Sequence, residues 1–327
     1  MRVLWLVSAL GCVASPAPDD DTGGGGKADG PPSDPARAAL KAILADVGGA
    51  DGVRYDARDD AGHGMDTAKI IDDPAGGYLA VYHSTVAGAF RLHLATSQNL
   101  LDWSYVRDLA GSTGPASQPS IKATSDGGFV LAWEQEPANH VRLAYYASRE
   151  ALFAGTPAKT LDAPMVLSRC ANGTPNLYAA SKSAVDFGFH YFANCDVDRQ
   201  ARATTNWVTV DAKPVSQLDN AVLYWGAKAN IGGRDGDVTF RGFRFDVIEG
   251  QSIKNDFGSW RSFIYDPQTG NAEPIDVHTR GGSTSFANPK LGNITIDGHP
   301  GIVMTIFVPS EGSARGEAGE LIYFRRL

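Results

Sequence analysis

The sequence predicts an all-β fold, a five-bladed β-propeller carrying a short N-terminal helix, and three observations predict it. A stretch from Met65 to Asp108 is restated four more times along the chain. Its strand-like runs are short and set apart by Gly and Pro, of which the 327 residues contain 37 and 18. The fifth restatement ends before a full unit is complete, so a closing strand must come from elsewhere.

The founding stretch opens with Asp66-Thr67-Ala68-Lys69-Ile70-Ile71, turns at Asp73 to Gly77, and continues as an apolar strand from Tyr78 to Tyr82 that stops at His83. A third strand follows over Phe90 to Ala95 and a fourth around Trp103 to Val106. Gly76 to His83 aligns without a gap against Gly127 to Glu134, both reading as second strands. First strands are placed at Asp66, Ser120, Asn176, Asp237 and Lys290. A repeat of about 40 to 50 residues holding four strands is the pattern of propeller blades. The last unit holds three strands, and Gly52-Val53-Arg54-Tyr55-Asp56 is the expected donor of the fourth, covering an otherwise open edge.

Before the blades come three segments. Residues 1–12 join an Arg, an apolar run from Val3 to Leu10 and Ala9-Leu10-Gly11-Cys12, a pattern of lipoprotein signals in which Cys12 bears the lipid; an ordinary signal peptide is the other reading. The run is too short to span a bilayer. Residues 13–34 read as a disordered Asp, Gly and Pro tether, and 35–327 as the folded propeller with its helix. Asp34 is the expected helix cap and Pro35 suits the first turn, with Leu40, Ile43, Leu44 and Val47 on one face. The chain is thus expected to be exported and lipid-anchored at a bacterial membrane or cell surface, touching the membrane only through that anchor, and to be a monomer.

A net charge of −8 and a pI near 5.3, with no basic stripe, exclude nucleic acid as an expected partner. The loop Asp56 to Asp60 lacks EF-hand spacing and reads as solvated; no His and Cys spacing suggests zinc, so no metal or other cofactor is expected. Cys170 and Cys195 flank one predicted hairpin, which brings them together as a disulfide in an exported protein. Two free, separately buried thiols are the other reading.

First strands begin, and second strands end, on one face of a propeller. That face collects Asp66, Glu134, Glu249 and Asp237 as candidate catalytic acids, and His83, Gln118, Ser120, Asn176, Arg234, Asp235, Asn288 and Lys290 as candidate ligand contacts. Apolar strands ending in an acid, Val130 to Glu134 and Asp246 to Glu249, suggest a site, because a half-buried carboxylate needs partners. The plainer reading is that such acids satisfy backbone N–H groups in the funnel wall. Apolar neighbours, Trp133 and Ile248, would favour protonated Glu134 and Glu249, whereas Asp66 follows a polar Gly62-His63-Gly64 and would stay ionised. Gly232 to Asp237 reads as a tight turn feeding blade four.

The blade layout, Asp66 at the head of the first blade, and Ala95-Thr96-Ser97-Gln98-Asn99-Leu100-Leu101-Asp102-Trp103 resemble the five-bladed propeller glycoside hydrolases of the arabinanase, xylosidase and invertase group, over about residues 50–327. The resemblance implies a glycosidase with a glycan substrate and Asp66 as base or nucleophile. It also implies an orienting Asp heading blade two and an acid Glu heading blade three. Those two positions fall at Ser120 and Asn176, so Glu134, Glu249 and Asp237 are the substitute acids. A noncatalytic carbohydrate-binding propeller is the alternative.

Overall fold

The computed structural model describes residues 33–110 and 114–327, and the side chains of residues 233–237 lie outside that description. The lipoprotein signal, Cys12 and most of the tether therefore lie outside the described residues, as do the side chains of Arg234, Asp235 and Asp237.

Helix α1 (Asp34–Ala45) precedes a short strand β1 (Gly52–Arg54). Blade one is β2 (Asp66–Asp72), β3 (Tyr78–Val86), β4 (Ala89–Ser97) and β5 (Ser104–Asp108). Blade two is β6 (Ala116–Ala123), β7 (Phe129–Gln135), β8 (His140–Tyr146) and, after helix α2 (Arg149–Ala154), β9 (Lys159–Asp162). Blade three is β10 (Asn172–Ala180), β11 (Val185–Ala193), β12 (Val197–Thr205) and β13 (Val210–Pro214), followed by helix α3 (Ser216–Tyr224). Blade four is β14 (Ala229–Phe240), β15 (Phe243–Gln251), β16 (Trp260–Asp266) and β17 (Asn271–Ile275). Blade five is β18 (Ala287–Ile296), β19 (His299–Val308) and β20 (Gly319–Arg326), with β1 as its outer strand. The closing strand is the expected one: Val53 pairs with Tyr323 and Arg54 with Ile322.

Most of the apolar core lies between blades. Tyr82 and Ile70 pack with Ile322 and Phe324 across blades one and five, Leu79 and Val81 with Leu131 and Trp133 across blades one and two, and Val130 and Leu143 with Phe187 across blades two and three. Alternate residues of β7 thus face opposite neighbours, as the two-residue period of a strand requires. Leu40 and Leu44 of α1 and Val47 just after it seal the seam of blades four and five with Val247, Met304 and Tyr323. The residue at the N-cap of α1 is Ser33 rather than Asp34. The Ser33 hydroxyl donates to the buried Asp266 carboxylate, and Asp34 pairs with Arg37 instead.

Helix α3 does for blade four what a neighbouring blade does elsewhere: Leu218 and Val222 cover Ile248, Phe263 and Tyr265. The loop after β1 also departs from expectation. Asp59 is buried, accepting from the N–H groups of Ala61 and His63 and from the Tyr82 hydroxyl, so this acid organises the loop rather than facing solvent.

Candidate functional site

Every innermost strand is interrupted at the same height. Register shifts fall between Asp66 and Lys69, Ser117 and Ser120, Gly173 and Asn176, Gly232 and Gly236, and Ala287 and Lys290. In four blades the next residue is left-handed, with φ of 55° at Thr67, 56° at Gln118, 47° at Thr174 and 52° at Asn288. Gly232 to Asp237 is therefore bulged strand and not a turn, its glycines tolerating an interruption longer than in the other blades.

These bulges set the true equivalence of the blades. Asp66 matches Ser117, Gly173, Gly232 and Ala287, while Ser120, Asn176 and Lys290 match Lys69. Three of the repeats carry Pro before that later position, at Pro119, Pro175 and Pro289, whereas blade one has Ala68; without a Pro anchor, blade one was aligned three residues out of register. The blade-two and blade-three counterparts of Asp66 are thus Ser117 and Gly173 rather than Ser120 and Asn176.

A bulge turns N–H groups out of the ladder, and buried N–H groups need acceptors. The preceding blade supplies them. Gln118 N–H points to His83 Nδ1 at 3.4 Å, and Asn288 N–H donates to the Glu249 carboxylate. The N–H groups of Thr67 and Ala68 donate to the two oxygens of Glu320 at 3.2 Å each. Glu249 is fully buried, so the structure gives it the work of a wall residue tying blade four to blade five, not that of a proton donor meeting a substrate. Burial and the charge of Asp66 push the Glu320 carboxyl well above the usual carboxylate range.

Opposite the bulges, the second strands present His83, Glu134, His190, Glu249 and Phe307. Glu134 differs from Glu249 in what the next blade offers. It lies against Gly173, where an added Cβ would come within 2.1 Å of Glu134 Oε2, so a glycine is needed for the carboxylate to occupy this place. Asn139 Nδ2 donates to Glu134 Oε1 at 2.8 Å, and the side chain remains half-buried. Trp133 does not desolvate Glu134, because consecutive strand residues point to opposite faces and Trp133 packs toward blade one.

Glu134 lines a cleft of about 370 Å³ between blades two and three with Ser117, Gln118, His190 and Asp198, walled by Phe90 and Phe192. The Cys170–Cys195 disulfide, with Cα atoms 5.6 Å apart, brackets the wall that carries Ala171 and Phe192. Asp66 stands beside this cleft: its side chain is 31% exposed, Oδ2 lies 3.5 Å from His83 Nε2, and Oδ1 has no hydrogen-bond partner. His83 in turn meets the Thr67 hydroxyl at 2.9 Å through Nδ1. Asp66, His83 and Gln118 thus form one connected arc leading to Glu134.

Ser120, Asn176 and Lys290 are buried deeper in the inner strands and do not line the cleft. Ser120 Oγ accepts from Leu177 N–H at 3.3 Å, and Asn176 keeps both side-chain polar atoms buried without partners. Asn288 contributes its backbone N–H to the wall. Among the described residues no three His, Cys, Asp or Glu side chains converge as a metal-ligand set.

Sequence reading missed Ser117, Gly173, His190, Asp198 and Glu320. His190 was legible, since it ends a second strand as His83 does. Glu320 had no such signal, because it heads a third strand and works on a blade some 250 residues away.

These features define a five-bladed propeller whose axial face opens into a cleft bearing carboxylates and imidazole. No protein-family model and no curated protein matches the chain. Solved structures do. An endo-1,4-β-xylanase from Bacteroides thetaiotaomicron superimposes with a TM-score of 0.54 at 11% identity, over 84% of this chain and 92% of that one. A thermostable family-43 glycoside hydrolase gives 0.52 at 11% identity, over 84% and 93%. A family-32 β-fructofuranosidase of Bombyx mori gives 0.52 at 14% identity, over 90% and 67%. The chain is therefore similar in fold to five-bladed propeller glycoside hydrolases of these two families.

Proposed function

We propose that this protein is a glycoside hydrolase acting on a glycan held in the cleft between blades two and three, with Glu134 as general acid and Asp66 as general base or nucleophile. The observation that carries this reading is the contrast among the funnel acids. Glu249 and Glu320 are fully or almost fully buried and tied to backbone N–H groups of the next blade, whereas Glu134 lines the cleft and the Asp66 side chain is 31% exposed beside it. Cleavage of a glycosidic bond needs one carboxyl to protonate the leaving oxygen and another to activate water or attack the anomeric carbon. Glu134 lines the cleft for the first task, and the partly exposed Asp66 carboxyl beside it serves the second. His190 and Gln118 are suited to hold sugar hydroxyls.

The test is release of reducing ends from xylan, arabinan, β-1,3-galactan and fructan by the purified chain. Asp66→Asn should lower turnover at least about 100-fold, within the range for removal of an acid or base. If Asp66→Asn is fully active and Asp198→Asn is inactive, the base is Asp198, which lines the same cleft.

A second reading, glycan binding without cleavage, is favoured by Ser117 and Gly173 at the blade-two and blade-three counterparts of Asp66. It predicts saturable affinity with no reducing-end release by the wild type. We further propose that the protein is exported and anchored through a lipid on Cys12, with the propeller working as a monomer; metabolic labelling with a palmitate analogue that is lost in Cys12→Ser tests the anchor.

A further inference from the structure

A cavity larger than the axial cleft lies elsewhere: an open groove of about 770 Å³ on the flank of blade four, between α3 and β17. The inner face of α3 is ordinary, with Leu218 and Val222 buried against the blade. Its outer face is not. A surface helix normally turns charged side chains to solvent, but the one charged residue of α3, Asp219, is buried and accepts from Gln200 N–H at 3.0 Å. Along the groove, at the spacing i, i+3, i+7, α3 shows Gln217, Asn220 and Tyr224 to solvent, with Leu223 also exposed beside Tyr224.

Tyr224 is 83% exposed and Trp225 47% exposed, their rings meeting edge to face at 5.5 Å. The indole is fixed in place, since Trp225 Nε1 donates to Ala272 O at 2.6 Å across the groove floor. Gln217 and Asn220, with Asn271 on the facing strand, are exposed and have no side-chain hydrogen bond among the described residues. The only aliphatic side chains on the lining are those of Ala221 and Ala272.

We propose that this groove is a second carbohydrate-binding site, one that holds a neutral polysaccharide strand outside the axial cleft. Sugar rings present an apolar C–H face flanked by hydroxyls that donate and accept. The exposed Tyr224 ring matches that face, with the Trp225 indole set at a right angle to it as a wall, and unpartnered amides, each able to donate and accept, match the hydroxyls. The charged residues of the lining, Arg37 and Glu273, are paired with each other at 2.8 Å, so neither is left to recruit an ionic ligand. Trp225 caps α3 and is anchored to Ala272 O, whereas the Tyr224 ring, 83% exposed, has no such structural work. The site is separate from the cleft, so it stands whether or not the cleft is catalytic.

The experiment is affinity electrophoresis and calorimetry of the full chain on soluble xylan, β-1,3-galactan and fructan. Tyr224→Ala, Asn220→Ala and Asp66→Asn variants are run alongside. Loss of one stacking ring is expected to weaken polysaccharide binding about tenfold. Asn220→Ala should weaken it less, and Asp66→Asn should leave the groove contribution intact. Turnover of a short oligosaccharide should be unchanged in Tyr224→Ala. The inference is overturned if Tyr224→Ala binds every polysaccharide like the wild type, if binding is lost only in Asp66→Asn, or if none of the three polysaccharides is bound. Failure of hydrolysis with retained, Tyr224-dependent binding would overturn the catalytic proposal alone.

Discussion

The arc of the funnel from blade one to blade three and the arc from blade four back to blade one are built from the same parts and do different work. In both, a second strand ends in a polar residue aimed at the bulge of the next blade. On blade four the next bulge is Ala287-Asn288, whose N–H donates to the Glu249 carboxyl; on blade five the second strand presents Phe307, and Glu320 of the third strand accepts from the blade-one bulge instead. On blade two the next bulge opens with Gly173, which leaves room for Glu134 to stand in a cleft. An acid at a strand end is therefore neither catalytic nor structural by its own nature; the neighbouring blade decides which.

The largest effect that would sharpen this contrast concerns the closed arc. A chain beginning at Ala57 lacks α1 and β1, and with them Leu40, Leu44 and Val47, each at most 1% exposed. Burying one such side chain is worth about 1.5–3 kcal/mol, so this truncation should unfold the domain, while a chain beginning at Ser33 should melt like the full length. Equal melting temperatures for both truncations would break the account of closure.

A smaller effect lies in the open arc. Gly173→Ala places a methyl where Glu134 now sits, so the carboxylate must swing away. Turnover should fall about tenfold or more, with a stability change of about 1–3 kcal/mol from the crowding, measured by urea unfolding and reducing-end release. Unchanged turnover would show that Glu134 need not occupy this position.

The smallest is a pH effect on the seam. Glu320 is raised in the folded chain above its ordinary value of 4.5, by burial first and then by Asp66. Above that pH the unfolded chain ionises while the folded chain resists, so the folded state holds the extra proton and stability falls as pH rises through the folded value. Glu320→Gln cannot titrate, and the stability advantage of the wild type over it should shrink as pH rises above 4.5. A difference constant in pH would contradict the protonated seam.

Much of the fold was legible because blades repeat turn chemistry: Gly76-Gly77 and Gly127-Gly128 mark equivalent second strands, and the incomplete fifth unit pointed to Gly52 to Arg54. The pairing of Cys170 with Cys195 was legible from one hairpin. The register of the inner strands was not, because a bulge is set by backbone shape and the Pro residues that seemed to mark it are absent from blade one. The role of Glu249 was hidden for a related reason: its partner is the N–H of Asn288, 39 residues on, exposed to it only by a left-handed bulge. Nor could apolar neighbours in sequence report on the protonation of Glu134, since they lie on the other face of the strand.

The central claim is tested most directly by measuring activity and unfolding free energy for Glu134→Gln and Glu249→Gln side by side, on whichever polysaccharide the wild type degrades. Glu134→Gln should lose at least about 100-fold in turnover while its stability stays within about 0.5 kcal/mol of wild type. Glu249→Gln, which alters a buried acceptor of the Asn288 N–H, should lose about 1–3 kcal/mol of stability and, where folded, keep turnover within a few-fold. The reverse pattern, an inactive but stable Glu249→Gln beside an active Glu134→Gln, would contradict it.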